Sequence, residues 1–377
     1  MKKHSIANVS RYYDPDAHDC FHNVLLSLLI YKGLNINLVL ADYLCFMYEP
    51  ESGYIGLNYL DKPLQTILLK EEELNTSLEY VFSPTTANYR DYSTVINDSR
   101  YGDKMKIFRF YDDDNEQAYS HLRDLVDRDE PTIIAVDLFY MRYHRAFQKE
   151  HGLHYVMVTG YDDEKGLIEL FDKKFNVECD FDGSLPVEDI MKARSSDSPH
   201  TDPFLGEYRR PLHNVWVEVN ADSFTVSDNR SLNIISKSCS RMHGQEDVLG
   251  HECGLARMEL FRNDLISRTQ SELNKQTLDL FRYYTGSFKV VARSRRRFTV
   301  FLKELTSILP GNLITEVSCL LADSAKCWDL CSNISYKFAL TKSRELAKSI
   351  YAKLGTAIDQ EKEAVDRLHS FLGNSQI

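Results

Sequence analysis

The chain has 377 residues, with 45 Lys and Arg against 56 Asp and Glu, for a formal net charge of -11. That length exceeds the usual size of one core and predicts two domains, while the acidic balance argues against nonspecific nucleic-acid binding as the main role. The longest apolar runs are far too short to span a bilayer, and Met1-Lys2-Lys3-His4-Ser5-Ile6 leads into polar sequence without a signal-peptide core.

The first informative element is His18-Asp19-Cys20-Phe21-His22-Asn23-Val24-Leu25-Leu26. Phe21, Val24, Leu25, Leu28 and Leu29 fall at helical spacing, and Gly33 supplies a stop, so a helix is predicted over 20–32. Cys20 then lies in its first turn, where unpaired backbone N–H groups and the helix dipole favour a thiolate. Taken alone, such a cysteine also reads as a small buried residue at a helix end. His18 and His22 flank it in a pattern too compact for a usual tetrahedral zinc site, and no metal site is expected.

Further along, a helix is predicted at 115–128 and strands at 132–138, 154–161, 167–172 and 214–219. Asp112-Asp113-Asp114 lacks the glycine and terminal glutamate of a calcium loop and reads as a solvated turn. Leu153 to Tyr161 and Leu167 to Asp172 form a hairpin around Asp162-Asp163-Glu164-Lys165-Gly166. If Tyr161 stands opposite Lys165, His154 faces Asp172 directly, and a two-residue shift still keeps both on one face. The carboxylate then holds the imidazole in one tautomer and stabilises its charged form. The order thiol, His, acid is that of papain-like cysteine enzymes. An ordinary hairpin with a polar pair at its end is the competing reading. His151, three residues before His154, is assigned to the preceding loop, and His144 to a Tyr- and Arg-rich loop that either borders a cleft or is merely exposed.

After Val219 comes a polar stretch without a clear period, and from about Asp247 the pattern is helical. Arg297 to Leu309, Leu313 to Ala339 and Thr341 to Leu372 carry apolar residues at three- and four-residue spacing, with Pro310-Gly311 between the first two. The predicted architecture is α+β: a catalytic domain over 1–222 followed by an antiparallel helical-bundle domain over 223–377. Eight cysteines, at 20, 45, 179, 239, 253, 319, 327 and 331, show no disulfide-framework spacing. Reducing cytosol is therefore the expected compartment. Cys319, Cys327 and Cys331 recur at helical spacing and read as core packing.

Three places carry a family resemblance: His18-Asp19-Cys20 with its helix; Pro131 to Asp137 followed by Tyr140 and a loop to His154; and the hairpin from His154 to Asp172 with Gly160-Tyr161-Asp162-Asp163. The N-terminal portion resembles the family named after the N-terminal domain of butirosin biosynthesis protein H. Arg297 to Leu302, Ala322 and Lys326-Cys327-Trp328 resemble the helical domain that follows in that family. The resemblance implies a papain-like (C39-like) fold and acyltransferase activity. An acyl group passes from a phosphopantetheine thioester on an acyl carrier protein, or from coenzyme A, to a small-molecule amine. It implies Cys20 as nucleophile, His154 as base and Asp172 as the residue orienting it, with no bound cofactor.

Papain-like enzymes often place a Gln ahead of the Cys to complete the oxyanion hole, but no Gln occurs here before Gln65. The backbone N–H of Cys20 is one candidate donor; Asn8, His18 or another amide is the second. This lack makes a peptidase or amidase less expected than a thioester-using enzyme. A chain-releasing or cyclising enzyme of an assembly line is a further alternative, and a degenerate papain fold serving as a scaffold is the non-enzymatic one. Arg293, Arg295, Arg296 and Arg297 form the one dense basic cluster and are candidates for contact with an acidic carrier protein or a coenzyme A phosphate. The other reading is a solvated helix face paired with nearby acids. The long C-terminal helices leave a homo-oligomer possible.

Overall fold

In the computed structural model the described residues are 2–16, 20–39, 41–57, 106–173, 180–202, 206–209, 211–220, 226–248, 250–270 and 273–374. Their strands in chain order are β1 (Lys3–Ser5), β2 (Met47–Tyr48), β3 (Ile55–Gly56), β4 (Lys106–Phe110), β5 (Thr132–Asp137), β6 (Leu153–Asp162), β7 (Leu167–Asp172), β8 (Phe181–Pro186), β9 (Pro199–Asp202), β10 (Gly206–Arg209) and β11 (Trp216–Asn220). The main sheet runs β4-β11-β5-β6-β7-β8, with β1 also on β6, and its pairings are antiparallel. The C-terminal region is helical, so the class is α+β.

The chain groups into two compact units, Met1–Ile36 with Tyr80–Phe224, and Asn37–Glu79 with Thr225–Ile377. A single cut near residue 222 therefore lies near one of three passages between units. The apolar run around Tyr43 to Tyr48 explains why the inserted segment belongs to the second: Tyr43, Leu44, Phe46 and Tyr48 are buried in one core cluster with Phe261, Tyr284, Phe288 and Trp328. Phe46 stacks on Trp328 with ring centres 5.6 Å apart.

In the first unit, β5 is buried along its whole length and takes one edge of β6 from Leu153 to Val158. β1 continues against β6 from Gly160 to Asp162. On the other edge, β7 pairs with a shift: Val158 stands opposite Leu170, but Gly160 stands opposite Glu169. Thr159 is the extra residue of a β-bulge. The hairpin closes at Asp162–Leu167 rather than Tyr161–Lys165. Asp162 Oδ1 accepts from the amides of Glu164 and Lys165, and Gly166 takes a positive φ of 63°. These contacts fix a four-residue turn that the simple alternation did not anticipate.

The bulge decides where the acid points. Continued without it, the turn-end register would set Asp172 level with Met157, on the face opposite His154. With it, Asp172 falls level with Val156, two residues along from His154 and on the same face. Gly160 makes this possible, because a Cβ there would meet the Glu169 carboxylate and the His4 carbonyl oxygen, the latter at 2.8 Å. Gly160→Ala is expected to destabilise the first unit by about 1–3 kcal/mol through this overpacking, measurable by urea unfolding. An unchanged midpoint would show that the strands separate without cost.

Several elements escaped the sequence patterns. The stretch after Val219 contains the helix Asp228–Met242, capped by Ser227. Its buried face includes Arg230, Ser231, Ser238 and Arg241 beside Ile234, Ile235, Cys239 and Met242, so the apolar period is masked by polar residues with internal partners. Arg230, for example, donates to the carbonyls of Leu38 and Val39. β8 reads Phe-Asp-Gly-Ser-Leu-Pro, which resembles a turn, yet pairs along β7 as an edge strand. Asp114 caps the helix Asn115–Asp127, accepting from the amides of Glu116 and Gln117. The three long C-terminal helices are Lys275–Glu304, Gly311–Thr341 and Arg344–Asn374. The first begins well before Arg297 and stops at Glu304, with Leu305 as its cap, instead of reaching Leu309. Cys327 and Cys331 are buried, but Cys319 is exposed and does not join the core. No helix among the described residues is long and apolar enough to cross a membrane.

Candidate active site

Cys20 opens the helix Cys20–Tyr31 and is only partly buried, whereas Phe21 through Leu29 are buried. The helix ends where Gly33 takes φ 77° and the amides of Gly33 and Leu34 bond back to Ile30 and Leu29. At the other end, Phe21 meets Tyr155 edge-on at 5.2 Å, packing the first turn against the strand that carries His154. The segment before the helix is tied to it as well: Asn23 Oδ1 accepts from the Asp14 amide at 2.9 Å, and Ser27 donates to the Tyr12 carbonyl. Arg11 continues this strap across the sheet, bonding Asp182 at 2.9 Å with its guanidinium over the Phe171 ring.

His154 is almost fully buried, and its Nε2 lies 2.8 Å from Asp172 Oδ2. With Nε2 engaged, Nδ1 is the nitrogen left for Cys20, which is near enough to act on the ring electrostatically. Burial disfavours its charged form. The electrostatic influence of Cys20 and Asp172, and the hydrogen bond to Asp172, outweigh that and raise the imidazole to about 10. The cluster therefore favours imidazolium over neutral imidazole at neutral pH.

The Tyr- and Arg-rich loop borders this site. Tyr143 Oη donates to the same Asp172 Oδ2 at 2.8 Å, and its ring stacks on Phe181 at 4.3 Å and 12°. The His144 ring is buried, its centre 6.2 Å from that of His154, and its Nδ1 accepts from the Ala146 amide. Sequence patterns could place these residues only in a loop, because nothing in Tyr143-His144 distinguishes a buried contact from an exposed one.

His151 belongs to a separate cluster. Its Nδ1 lies 2.7 Å from Asp137 Oδ2, and it stacks on Phe139 at 4.3 Å. Asp137 also accepts from Ser196 Oγ at 2.6 Å and from the amides of Phe139 and Gly152. Burial opposes the charge on Asp137, but these bonds, led by that from His151, hold its carboxyl below the usual range. Ser196 bonds the acid and not the histidine, so this is a clamp on the two ends of the loop rather than a nucleophile with its base.

Of the oxyanion candidates, Asn8 sits in an exposed turn with φ 61° and His18 lies outside the described residues. The basic cluster is not one continuous surface. Arg295 is fully buried in the second unit, paired with Glu361 at 3.0 and 2.7 Å and donating to the Cys45 carbonyl. It cannot contact a carrier protein or coenzyme A, because its place on the helix turns it into the core. Arg296 pairs with Asp329 at 2.7 Å, and Arg293 and Arg297 are half-buried and also engaged.

Residues 76–173 match the family model described as butirosin biosynthesis protein H, N-terminal. This is about a quarter of the chain; it includes Tyr143, His154 and Asp172 and stops short of Cys20. No curated protein matches the chain.

Proposed function

We propose that this protein is a cysteine-dependent acyltransferase of natural-product biosynthesis, with a papain-like catalytic arrangement of Cys20, His154 and Asp172. The observation that carries the reading is a buried His154 bonded to the buried carboxylate of Asp172 at 2.8 Å and raised in proton affinity by both that acid and Cys20. The matched family, described by butirosin biosynthesis, supports the metabolic setting.

In the proposed reaction the Cys20 thiolate attacks the carbonyl of a phosphopantetheine thioester carried by an acyl carrier protein. The C–S bond to the donor breaks, the donor thiolate takes the proton of the His154 imidazolium, and the acyl group stays on Cys20. A small-molecule amine then attacks the acyl-Cys20 carbonyl, neutral His154 accepts the amine proton, and Cys20 leaves as thiolate. The Cys20 backbone N–H is the proposed first donor to the oxyanion. Thioester exchange between two thiols is nearly thermoneutral, so the requirement on the site is to keep water from the acyl-enzyme.

Incubation with a panel of acyl carrier thioesters is expected to add the mass of the acyl group to Cys20, and the adduct is expected to disappear on adding an amine. Cys20→Ala is expected to give no adduct and no transfer. Transfer by the Ala variant at the wild-type rate, with no adduct on the wild type, would overturn the proposal.

A further inference from the structure

The acid of the cluster has a second partner that the Cys-His-Asp reading does not use. Asp172 is 1% exposed, and its Oδ2 receives both the His154 ring and the Tyr143 hydroxyl, each at 2.8 Å. Its Oδ1 is buried without a hydrogen-bond partner among the described residues. Two donors therefore converge on one oxygen while the other has none. A carboxylate held this way has its rotation about χ2 fixed chiefly by the two donors, and losing either frees it to turn Oδ2 away from the imidazole.

Tyr143 is itself braced. Its ring lies flat on Phe181, and Phe181 stands opposite Asp172 in the β7–β8 pairing. The stacked pair lies at the carboxylate and helps to keep it dry, which strengthens its interaction with the imidazolium. The loop that carries Tyr143 is anchored at Leu138 and Gly152 by their mutual backbone bond, and by Asp137 bonding His151 and Gly152.

From this geometry we propose that Tyr143 is a positioning residue, acting through Asp172 to hold His154 toward Cys20, so that the working unit is Cys20, His154, Asp172 and Tyr143. The proposal rests on the catalytic reading above. Tyr143→Phe removes one hydroxyl and keeps the ring stacked on Phe181, so the fold is expected to persist with an unfolding midpoint close to that of the wild type.

The test is an NMR titration of the His154 ring nitrogens, read beside the rate of Cys20 alkylation by iodoacetamide across the same pH range. In the wild type the ring is expected to lose its proton near pH 10. In Tyr143→Phe that midpoint is expected to fall by about one pH unit, because the carboxylate is free to turn Oδ2 away from the imidazolium, and this loss of geometry outweighs the small gain in its basicity. The alkaline change in alkylation rate is expected to move with it. Tyr140→Phe, a neighbouring substitution in the same loop, is expected to leave both unchanged. A wild-type midpoint near the ordinary histidine value would overturn the ion-paired catalytic reading itself. A wild-type midpoint near 10 that Tyr143→Phe leaves in place would overturn the role of Tyr143 alone.

Discussion

Asp172→Asn is expected to lower acyl transfer by roughly 100- to 10 000-fold while Cys20 remains in place. The reason lies in the balance of influences on His154. Burial alone pushes the ring toward neutrality, and the influence of Cys20 and Asp172, with the hydrogen bond to the acid, reverses it. Asparagine removes the carboxylate charge and leaves the ring buried, so the imidazole is expected to lose its proton well below pH 10. The sign follows directly. A histidine whose pKa is raised keeps its proton as pH rises toward that value, and the variant surrenders it earlier. In the proposed mechanism, the proton that the departing donor thiolate takes is then missing at neutral pH. Measured as acyl-Cys20 formation against pH, the wild type is expected to hold its rate until pH approaches 10, and the variant to lose rate at lower pH. Equal rates and coincident alkaline limbs would show that the carboxylate has no part in charging the ring. Asp172→Glu keeps the charge but moves it by one methylene. It is expected to retain the high-pH limb with a reduced rate, which separates charge from geometry.

The candidate cluster was legible where residue chemistry and strand period coincide. Cys20 before an apolar helix, and His154 and Asp172 on adjacent strands, follow from spacing alone, and the structure sets Cys20 at the helix start and His154 2.8 Å from Asp172. The register was not legible, because it depends on a turn fixed by Asp162 and Gly166 and on one extra residue at Thr159. Two departures from ideal alternation combine to leave the acid on the face that the simple pattern had assigned to it. Tyr143 was hidden for a different reason: a loop residue acquires its partner only through tertiary closure, and no local period announces that. The same holds in the second unit. Arg295 in Arg293-Ser294-Arg295-Arg296-Arg297 reads as surface because charged residues are rarely buried. Only the position of Glu361, far along the chain, shows why this one is.

That buried pair leads to the largest stability effect expected in the molecule. Glu361 is fully buried and accepts four hydrogen bonds: two from Arg295, one from Ser324 Oγ at 2.6 Å and one from Trp328 Nε1 at 2.8 Å. Arg295 also donates from Nη1 to the Cys45 carbonyl at 3.0 Å, which ties the inserted segment 41–57 to the long helices. Glu361→Ala leaves a guanidinium, an indole N–H and a hydroxyl without their acceptor inside an apolar core, and is expected to cost about 3–5 kcal/mol of unfolding free energy. The experiment is urea unfolding followed by Trp328 fluorescence in a Trp216→Phe background, which leaves Trp328 as the sole indole of the chain. The double variant Arg295→Met with Glu361→Leu removes both charges and is expected to regain part of the loss. It does not regain all, because the indole and the Cys45 carbonyl stay unsatisfied, at about 1–3 kcal/mol each. If the single variant lost less than about 1 kcal/mol, within the range of an exposed pair, the buried network would not be holding the core together. Hydrogen exchange gives an independent reading. Because Arg295 bridges to Cys45, amide protection at Phe46, Met47 and Tyr48 is expected to fall in Glu361→Ala more than protection in the β5–β6 pairing of the other unit.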